Sequence, residues 1–227
     1  MILYILMLVP LVLETCIPYM SAVWAIPANI AVIIAVTAFA AYTVRLFMRS
    51  THEVSLIGKF FTAALTMSVV SFVFNAILVS PQHQISSNLY FTFALGLSLL
   101  YLFEYYITES YPTFRKIGIV LFPIILLLAL WKAEKASLII PFMLITYVFE
   151  AKDRVRFACY MFLSFVLLIV SLWRMNSGDA LNYQFTFILA LPFISHLPIR
   201  RDLSKNSKFL YIYPLVIWFG HTVVTYM

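Results

Sequence analysis

The stretch that decides the fold covers residues 86–106 and reads SSNLYFTFALGLSLLYLFEYY. Residues 89–103 carry no charge, and this uncharged run is too long for an ordinary strand and nearly long enough for a helix that crosses a bilayer. Asn88 and Thr92 lie four residues apart at its start, so a helix places both side chains on one face. Polar side chains inside a membrane are costly unless the protein pairs or uses them. The stretch therefore predicts a membrane helix that begins with a candidate site.

The composition of the whole chain also indicates a membrane protein. Its 227 residues are 64% hydrophobic and 11% charged, with a mean hydropathy of +1.00. A soluble domain is about 45–50% apolar and about 25% charged, so a soluble fold of this size cannot hide so much apolar surface. The formal net charge of +6 comes from basic residues that lie between apolar runs. That placement favours charges that set orientation in a membrane over charges that bind nucleic acid.

Nine apolar runs are candidates for membrane spans, each of which needs about 20 residues. The fifth and sixth runs are short and are separated by WKAEK at residues 131–135, so they form two spans, a re-entrant pair or one bent element. We therefore expect an all-α, polytopic membrane bundle of about eight or nine transmembrane helices, with residues 1–227 in a single membrane-embedded domain. The nine runs cover residues 2–20, 26–47, 60–79, 89–106, 117–131, 136–149, 158–173, 181–196 and 209–227.

Basic residues alternate between the loops of this predicted bundle. Of the 15 Lys and Arg residues, Lys132, Lys135 and Arg174 fall in odd-numbered loops and all the others fall in even-numbered loops. The positive-inside rule then predicts that the N-terminus and the even loops are cytoplasmic and that the C-terminus is outside. The alternation supports the number of runs, because a wrong count would have mixed the two sets of loops.

Glu14 and His221 are candidate catalytic residues in the first and last runs. Glu14 lies within VPLVLETCIPYM, where a carboxylate marks a functional position by default. The alternative is that Glu14 reaches interfacial water, because Pro18 soon ends the run. If the first and last helices pack together, Glu14 and His221 can form an acid–base pair near the outer face. The competing interpretation is two unrelated interfacial residues.

Arg45 and Arg49 mark the predicted cytoplasmic end of the second run. Together with Lys59 they flank His52 and Glu53 in the second loop, and this patch either binds an anionic cofactor, such as a coenzyme or a lipid head group, or only determines the topology. No HExxH, CxxC, P-loop, GxSxG or Rossmann motif occurs in the chain. The sequence therefore gives no indication of a metal site.

Three stretches resemble the TraX family, the membrane proteins linked to acetylation of the N-terminus of conjugative pilin. Glu14 and Thr15 stand where that family has an Asp-His pair. Residues 43–60 and 88–97 resemble its basic loop and its Asn-x-x-x-Thr span, and residues 209–215 resemble its Tyr-Pro helix. The chain departs from the family after that Tyr-Pro pair, where Val216 replaces a histidine and His221 follows further on. Small polytopic fimbrial assembly proteins of Gram-negative bacteria are similar in size and character.

The resemblance implies an inner-membrane protein of pilus or fimbria biogenesis that acetylates a pilin, with membrane lipids and the pilin as partners. It implies Glu14 and His221 as catalytic residues and acetyl-CoA as a donor received by Arg45 and Arg49. The implied substrate-binding residues are Asn88, Thr92 and Tyr213. A non-enzymatic assembly factor that holds pilin by helix packing is the alternative. A small-molecule or lipid permease ranks third, because no internal repeat is visible.

Overall fold

The computed structural model is helical throughout the part of the chain it describes, which is residues 17, 20–77, 88–108, 112–133, 135–177, 181–195, 215, 217–219 and 222. No strand occurs among these residues, which confirms the predicted all-α class. The helices are α1 (Ala22–Met48), α2 (Glu53–Ile77), α3 (Leu89–Tyr101) with a π-helical continuation (Leu102–Thr108), α4 (Pro112–Lys132), α5 (Ala136–Val148), α6 (Asp153–Asn176), a 3₁₀ helix (Tyr183–Ala190) and α7 (Leu191–Ser195).

Each apolar run from the second to the eighth falls on helix: the fourth covers α3 and most of its π-helical continuation, the eighth covers the 3₁₀ helix and α7, and each of the others overlaps one helix. The first and ninth runs fall mostly outside the described residues. Within the described part of the chain, three helices are long and apolar enough to cross a membrane, namely Val23–Met48, Glu53–Ala76 and Asp153–Asn176. This fits a membrane protein, and the total of eight or nine spans stays a prediction.

The fifth and sixth runs form separate helices. Lys135 adopts a left-handed backbone conformation, with φ of 51°, directly before α5. A non-glycine residue rarely takes this conformation, and it turns the chain between α4 and α5. α5 has only 13 residues and α4 has 21, so a short helix follows one that is nearer to the length of a span.

Charges at the helix ends agree with the helix dipole. Glu53 and Asp153 lie in the first turns of α2 and α6, where a negative charge is favourable. Arg45 and Arg174 lie in the last turns of α1 and α6, where a positive charge is favourable. The loop charges that predicted the topology therefore also stabilise the ends of individual helices.

α1, α3 and α5 form the middle of the bundle. α2 packs on α3, α4 packs on α3 and its π-helical continuation, and α6 packs on α5. The 3₁₀ helix lies between α1 and α6. Large aromatic side chains fill the centre, where the rings of Phe39 and Phe93 are 4.8 Å apart in an edge-to-face arrangement. Other fully buried rings belong to Tyr42, Phe47, Phe60, Phe142 and Phe187.

The outer faces of the peripheral helices are apolar. Phe72 on α2, Leu127 on α4 and Phe162 on α6 are 75%, 67% and 69% exposed. Apolar surface of this extent is unfavourable in water and suits the hydrocarbon of a bilayer. The same property that excluded a soluble protein at the level of composition is therefore visible as surface.

Serine hydroxyls on α6 hold the 3₁₀ helix. The Oγ of Ser164 donates to the backbone carbonyl of Phe185 at 2.8 Å. The Oγ of Ser171 donates to the carbonyl of Asn182 at 2.7 Å and accepts from the amide of Asn182 at 2.9 Å. A 3₁₀ helix longer than about four residues is uncommon because its backbone hydrogen bonds have poorer geometry. The two hydroxyls therefore give hydrogen bonds to backbone carbonyls at and next to the 3₁₀ helix, whose own backbone hydrogen bonds are weaker than those of an α-helix.

Candidate functional site

Arg45 is the cation most closely integrated into the bundle among the predicted site residues that the structure describes. Its side chain is half-buried in the last turn of α1. The guanidinium Nη1 donates to the backbone carbonyl of Ile194 at 3.0 Å. This bond joins α1 to the C-terminal end of α7, where carbonyl groups lack partners within the helix.

Arg156 in the first turn of α6 is a second cation at this end of the bundle. Arg156, Tyr160 and Glu150 are close enough to Arg45 to act on its charge. The side chain of Arg156 is 22% exposed and pairs with Asp153. Its Nη1 donates to the carbonyl of Glu150 at 3.0 Å, so the α5–α6 connection fixes the guanidinium.

Tyr160 lies one helical turn after Arg156 and fixes α6 against α5. The Thr146 hydroxyl donates to the carbonyl of Phe142 at 2.6 Å, so its single proton is used. The hydroxyl of Tyr160, 2.8 Å from the Thr146 oxygen, must therefore be the donor in that second bond. The Tyr160 ring also stacks on Phe142 at 4.9 Å. These buried contacts hold the face of α6 that carries Arg156 next to the bundle.

Arg49, the other predicted cofactor ligand, is exposed. It acts on the charge of Arg45 less than Arg156 does. Of the two arginines predicted to bind a cofactor, Arg45 is half-buried in the bundle and Arg49 faces solvent.

Several chain segments meet at the end of the bundle that carries Arg45. A short connection joins the end of α1 to Glu53, the first residue of α2. The Glu53 side chain hydrogen bonds with Tyr105 of the π-helical continuation. The start of α6 and the end of α7 join the same group through Arg156 and Ile194. We call this the Arg45 end of the bundle, defined by Arg45, Glu53, Tyr105, Arg156 and Ile194.

Asn88 lies far from the Arg45 end. It caps α3, with its Oδ1 accepting from the amide of Phe91 at 3.2 Å. Its Nδ2 donates to the carbonyl of Ala64 at 2.9 Å and to the hydroxyl of Ser68 at 2.7 Å, which ties α3 to α2. Asn88 precedes Tyr105 by 17 residues of helix, which is about 25 Å at 1.5 Å per residue. The structure therefore does not bring Asn88 together with Arg45.

Thr92 follows Asn88 on α3 and is fully buried. Asn88 is the N-cap that precedes the first helical residue, Leu89, so it does not lie within the helix as predicted, and its contacts give it a role in holding α2 and α3 together. A role in substrate binding stays a prediction for both residues.

Glu14, Tyr213 and His221 lie outside the described residues. The nearest described part of the last run is Trp218, whose Nε1 donates to the hydroxyl of Ser71 on α2 at 3.2 Å. Its ring also stacks on Phe74 with centroids 6.2 Å apart. The last run therefore packs on α2 at this point, and the predicted pairing of Glu14 with His221 stays a prediction.

Sequence reasoning missed Arg156, Tyr160 and Thr146. A weak signal exists for the first two, since the spacing of four residues places Arg156 and Tyr160 on one face of a helix. Their neighbours Thr146 and Arg45 are distant in the chain, so a single sequence gives no reason to connect them. The sequence analysis counted Arg156 only as one of the basic loop residues that set the orientation in the membrane.

Other features of the described structure offer little chemistry. Among the residues that the structure describes, no group of three His, Cys, Asp or Glu side chains is placed to hold a metal ion. A groove of about 480 Å³ between α5 and α6 has an apolar lining that includes Pro141, Phe162 and the side chain of Cys159. Its position on the outer face of α6 suits acyl chains of lipid.

Comparison with known proteins finds no matching family model, no matching curated protein and no matching solved structure. The resemblance to the TraX family therefore stays an expectation based on short motifs. Function is inferred instead from the geometry around Arg45.

Proposed function

We propose that this chain is a multi-pass protein of the bacterial inner membrane that acts in pilus or fimbria biogenesis by acyl transfer to the N-terminus of a pilin. The observation that supports an anionic donor is the half-buried Arg45 at an end of the bundle, where its guanidinium is held by the carbonyl of Ile194. A guanidinium has five N–H donors, and the bond to Ile194 uses one of them. Arg45 therefore retains donors for a ligand.

The proposed donor is acetyl-CoA, whose phosphates suit guanidinium groups. In the proposed orientation the N-terminus and the Arg45 end are cytoplasmic, on the side where acetyl-CoA is available. Twelve basic residues in the even loops support this orientation through the positive-inside rule.

The proposed reaction joins the pilin amine to the acetyl group. The amine nitrogen attacks the thioester carbonyl carbon, Glu14 takes a proton from the amine, and the carbon–sulfur bond breaks to release the CoA thiol after protonation by His221. The geometry requires the donor to reach inward from the Arg45 end, because the catalytic pair is predicted near the outer face. The pantetheine arm of CoA, which carries the acyl group away from the phosphates, is suited to such a path.

A non-enzymatic assembly factor is the second candidate, and the contacts of Asn88 favour it. The Nδ2 of that amide donates to two groups of α2, and its Oδ1 accepts the cap hydrogen bond from the amide of Phe91. A predicted substrate ligand that instead connects two helices is expected in a scaffold that binds pilin through helix packing.

Intact-mass spectrometry of the pilin, from cells with and without this gene, tests the proposal. We expect the pilin to lose the mass of one acetyl group when the gene is deleted and to regain it with the wild-type gene. The Glu14→Gln variant should fail to restore the mass although it is present in the membrane.

An unchanged pilin mass with fewer surface fibres would reject acyl transfer and support the assembly factor. No change in mass or in fibres would reject both and favour the permease. Restoration of the acetyl mass by Glu14→Gln would retain the transferase and remove Glu14 as its base.

A further inference from the structure

We propose that the groove between α5 and α6 holds one acyl chain of a phospholipid, with the phosphate of the lipid head group at Lys152 and Arg154. The lipid belongs to the leaflet nearer the Arg45 end of the bundle. The inference goes beyond the proposed function, because it depends only on a membrane location and needs neither a pilin nor an acyl donor. A lipid in this groove occupies one defined position, unlike the lipid that surrounds the bundle.

One face of α6 and the facing side of α5 build the groove. The lining residues of α6 follow the spacing of three and four that keeps side chains on one face of a helix, namely Val155, Ala158, Cys159, Phe162, Leu163 and Val166. α5 contributes Pro141 and Ile145. Leu163 is buried and belongs to the floor, whereas Phe162 is exposed and stands at the edge. None of these side chains is charged, so the groove suits hydrocarbon.

The dimensions of the groove decide what fits in it. From Val155 to Val166 it follows α6 for eleven residues, which is about 16 Å at 1.5 Å per residue. Its volume of about 480 Å³ over this length gives a mean cross-section of about 30 Å². A helix with its side chains is about 10–12 Å wide and needs about 80 Å² or more. A helix of a pilin is therefore too wide, whereas a single hydrocarbon chain fits.

The length of the groove matches one leaflet of a membrane. The hydrocarbon core of a bilayer is about 30 Å thick, so one leaflet contributes about 15 Å. The groove begins at Val155, just after the α5–α6 connection at residues 149–152. It ends at Val166, close to the middle of the 24 residues of α6. It therefore runs from the polar end of α6 to the middle of the bilayer, which is the path of an acyl chain.

The charge at the polar end of the groove is positive. Lys152 and Arg154 are both exposed there. Two carboxylates lie in the same stretch, and that of Asp153 pairs with Arg156. Residues 150–156 hold three cations and two carboxylates, so one positive charge is left over. This excess favours the phosphate of a lipid, and burial of the chain supplies most of the affinity because the excess is small.

Cys159 provides a probe inside the groove. In a chain with Cys16 replaced by serine, the experiment measures how fast N-ethylmaleimide modifies Cys159 in the purified full-length protein in detergent. We expect long-chain phosphatidylglycerol to slow this reaction about tenfold at about ten times its dissociation constant, because the bound chain covers the thiol. Dihexanoyl-phosphatidylglycerol has the same head group but short chains, so it should give little protection.

A matched pair of variants on α6 tests the groove itself. Val166→Phe fills its inner end, and Val170→Phe makes the same change one turn further along, at an exposed position outside the groove. Val166→Phe should lose the protection by lipid, and Val170→Phe should keep it. Ala158→Phe fills the groove at another point and gives the same test if Val166→Phe does not fold.

A second pair of variants tests the position of the head group. Arg154→Gln removes a charge at the polar end of the groove, and Arg174→Gln removes an exposed charge at the other end of α6. Arg154→Gln should weaken binding of phosphatidylglycerol about fivefold, and Arg174→Gln should leave it unchanged. Equal binding by the two variants would overturn the assignment of the phosphate to Lys152 and Arg154.

Three results would overturn the lipid site. These are no protection by long-chain lipid, equal protection in Val166→Phe and Val170→Phe, and labelling that slows with protein concentration instead of lipid. The last result would assign the groove to a second copy of the chain. The pilin mass is measured separately, so an acetylated pilin with an unprotected Cys159 would retain the transferase and reject the lipid site.

Discussion

Gly96 lies where α3 packs against α5, and the absence of a side chain leaves room for Met143. A Cβ at position 96 would be 2.7 Å from the Met143 sulfur and 3.1 Å from its terminal methyl carbon. Met143 is fully buried, so its neighbours restrict how far it can move. We expect Gly96→Leu to lower the free energy of unfolding by about 1–3 kcal/mol or more through overpacking. Thermal unfolding of the purified protein in detergent measures this.

Gly58 provides the matched control for Gly96. It lies in α2 and is exposed, and no atom lies within 4 Å of the position that a Cβ would take there. Gly58→Leu should therefore stabilise the protein by up to about 1 kcal/mol, because leucine favours a helix more than glycine does. Equal melting temperatures for the two leucine variants would contradict the close approach of α3 and α5.

Tyr160 provides a second prediction at the scale of single residues. Tyr160→Phe keeps the ring and removes the bond to Thr146, which should cost about 0.5–1.5 kcal/mol. Tyr160→Leu should cost more, because it also removes the ring contacts with Phe142 and Phe187. Unfolding in detergent reports both changes.

A double-mutant cycle checks that the Tyr160 bond is the cause. Thr146→Val leaves the Tyr160 hydroxyl buried without that partner, so the double variant should lose less than the sum of the single losses. Additive losses would mean that the hydroxyl pair contributes no coupling.

The sequence predicted a helix at this point, but it placed Asn88 inside the helix rather than at its N-cap and did not predict what Asn88 contacts. The cap on Phe91 is local and follows from asparagine chemistry at a helix start. The bond to Ser68 spans 20 residues, and its formation depends on how α2 and α3 pack. Arg156 and Tyr160 were missed for the same reason, because their partners belong to other helices.

At the scale of elements, the 3₁₀ helix depends on hydroxyl groups supplied by α6. Ser164 and Ser171 lie seven residues apart, so both face the 3₁₀ helix. We expect the Ser164→Ala/Ser171→Ala double variant to loosen this helix, since its carbonyls would lose partners in an apolar environment. Hydrogen exchange at the amides of residues 182–190 should become several-fold faster.

Ser98 is the control for the α6 serines. Its hydroxyl donates at 2.9 Å to the carbonyl of Ala94 in its own helix, so it does not link two elements. Ser98→Ala should leave exchange at residues 182–190 unchanged. Unchanged exchange in the double serine variant as well would show that packing alone holds the 3₁₀ helix.

The apolar runs predicted where helices lie, but they did not predict which of them are 3₁₀ or π-helical rather than α-helical. Length and hydropathy are enough to place a helix over residues 158–173, where α6 is found. The same criteria cannot distinguish an α-helix from the 3₁₀ helix at Tyr183–Ala190 or the π-helix at Leu102–Thr108. In the 3₁₀ helix, the hydroxyls of Ser164 and Ser171 on a neighbouring helix bond to its backbone, and such contacts cannot be seen in a single apolar run.

For the whole molecule, the structure and the loop charges agree on which connections lie together. The connections at residues 49–52 and 149–152 both lie at the Arg45 end, and both belong to the even loops of the sequence prediction. Residues 171 and 182 meet at the other end of α6. The alternation of loop charge therefore correctly predicted which connections lie at the same end of the bundle. The structure does not show which end faces the cytoplasm.

Cysteine labelling tests that orientation. In a chain with Cys16 and Cys159 replaced by serine, the single variants are Thr51→Cys, Lys152→Cys and Ser177→Cys, all at exposed positions. We expect a membrane-impermeant maleimide to label the Ser177→Cys variant in intact spheroplasts, because α6 separates residue 177 from the Arg45 end. The other two variants should react only after permeabilisation. The reversed pattern would invert the orientation and move Arg45 to the outer face, where the proposed donor acetyl-CoA is not available. Different behaviour of Thr51→Cys and Lys152→Cys would instead mean that the chain between them crosses an odd number of times, contrary to the fold.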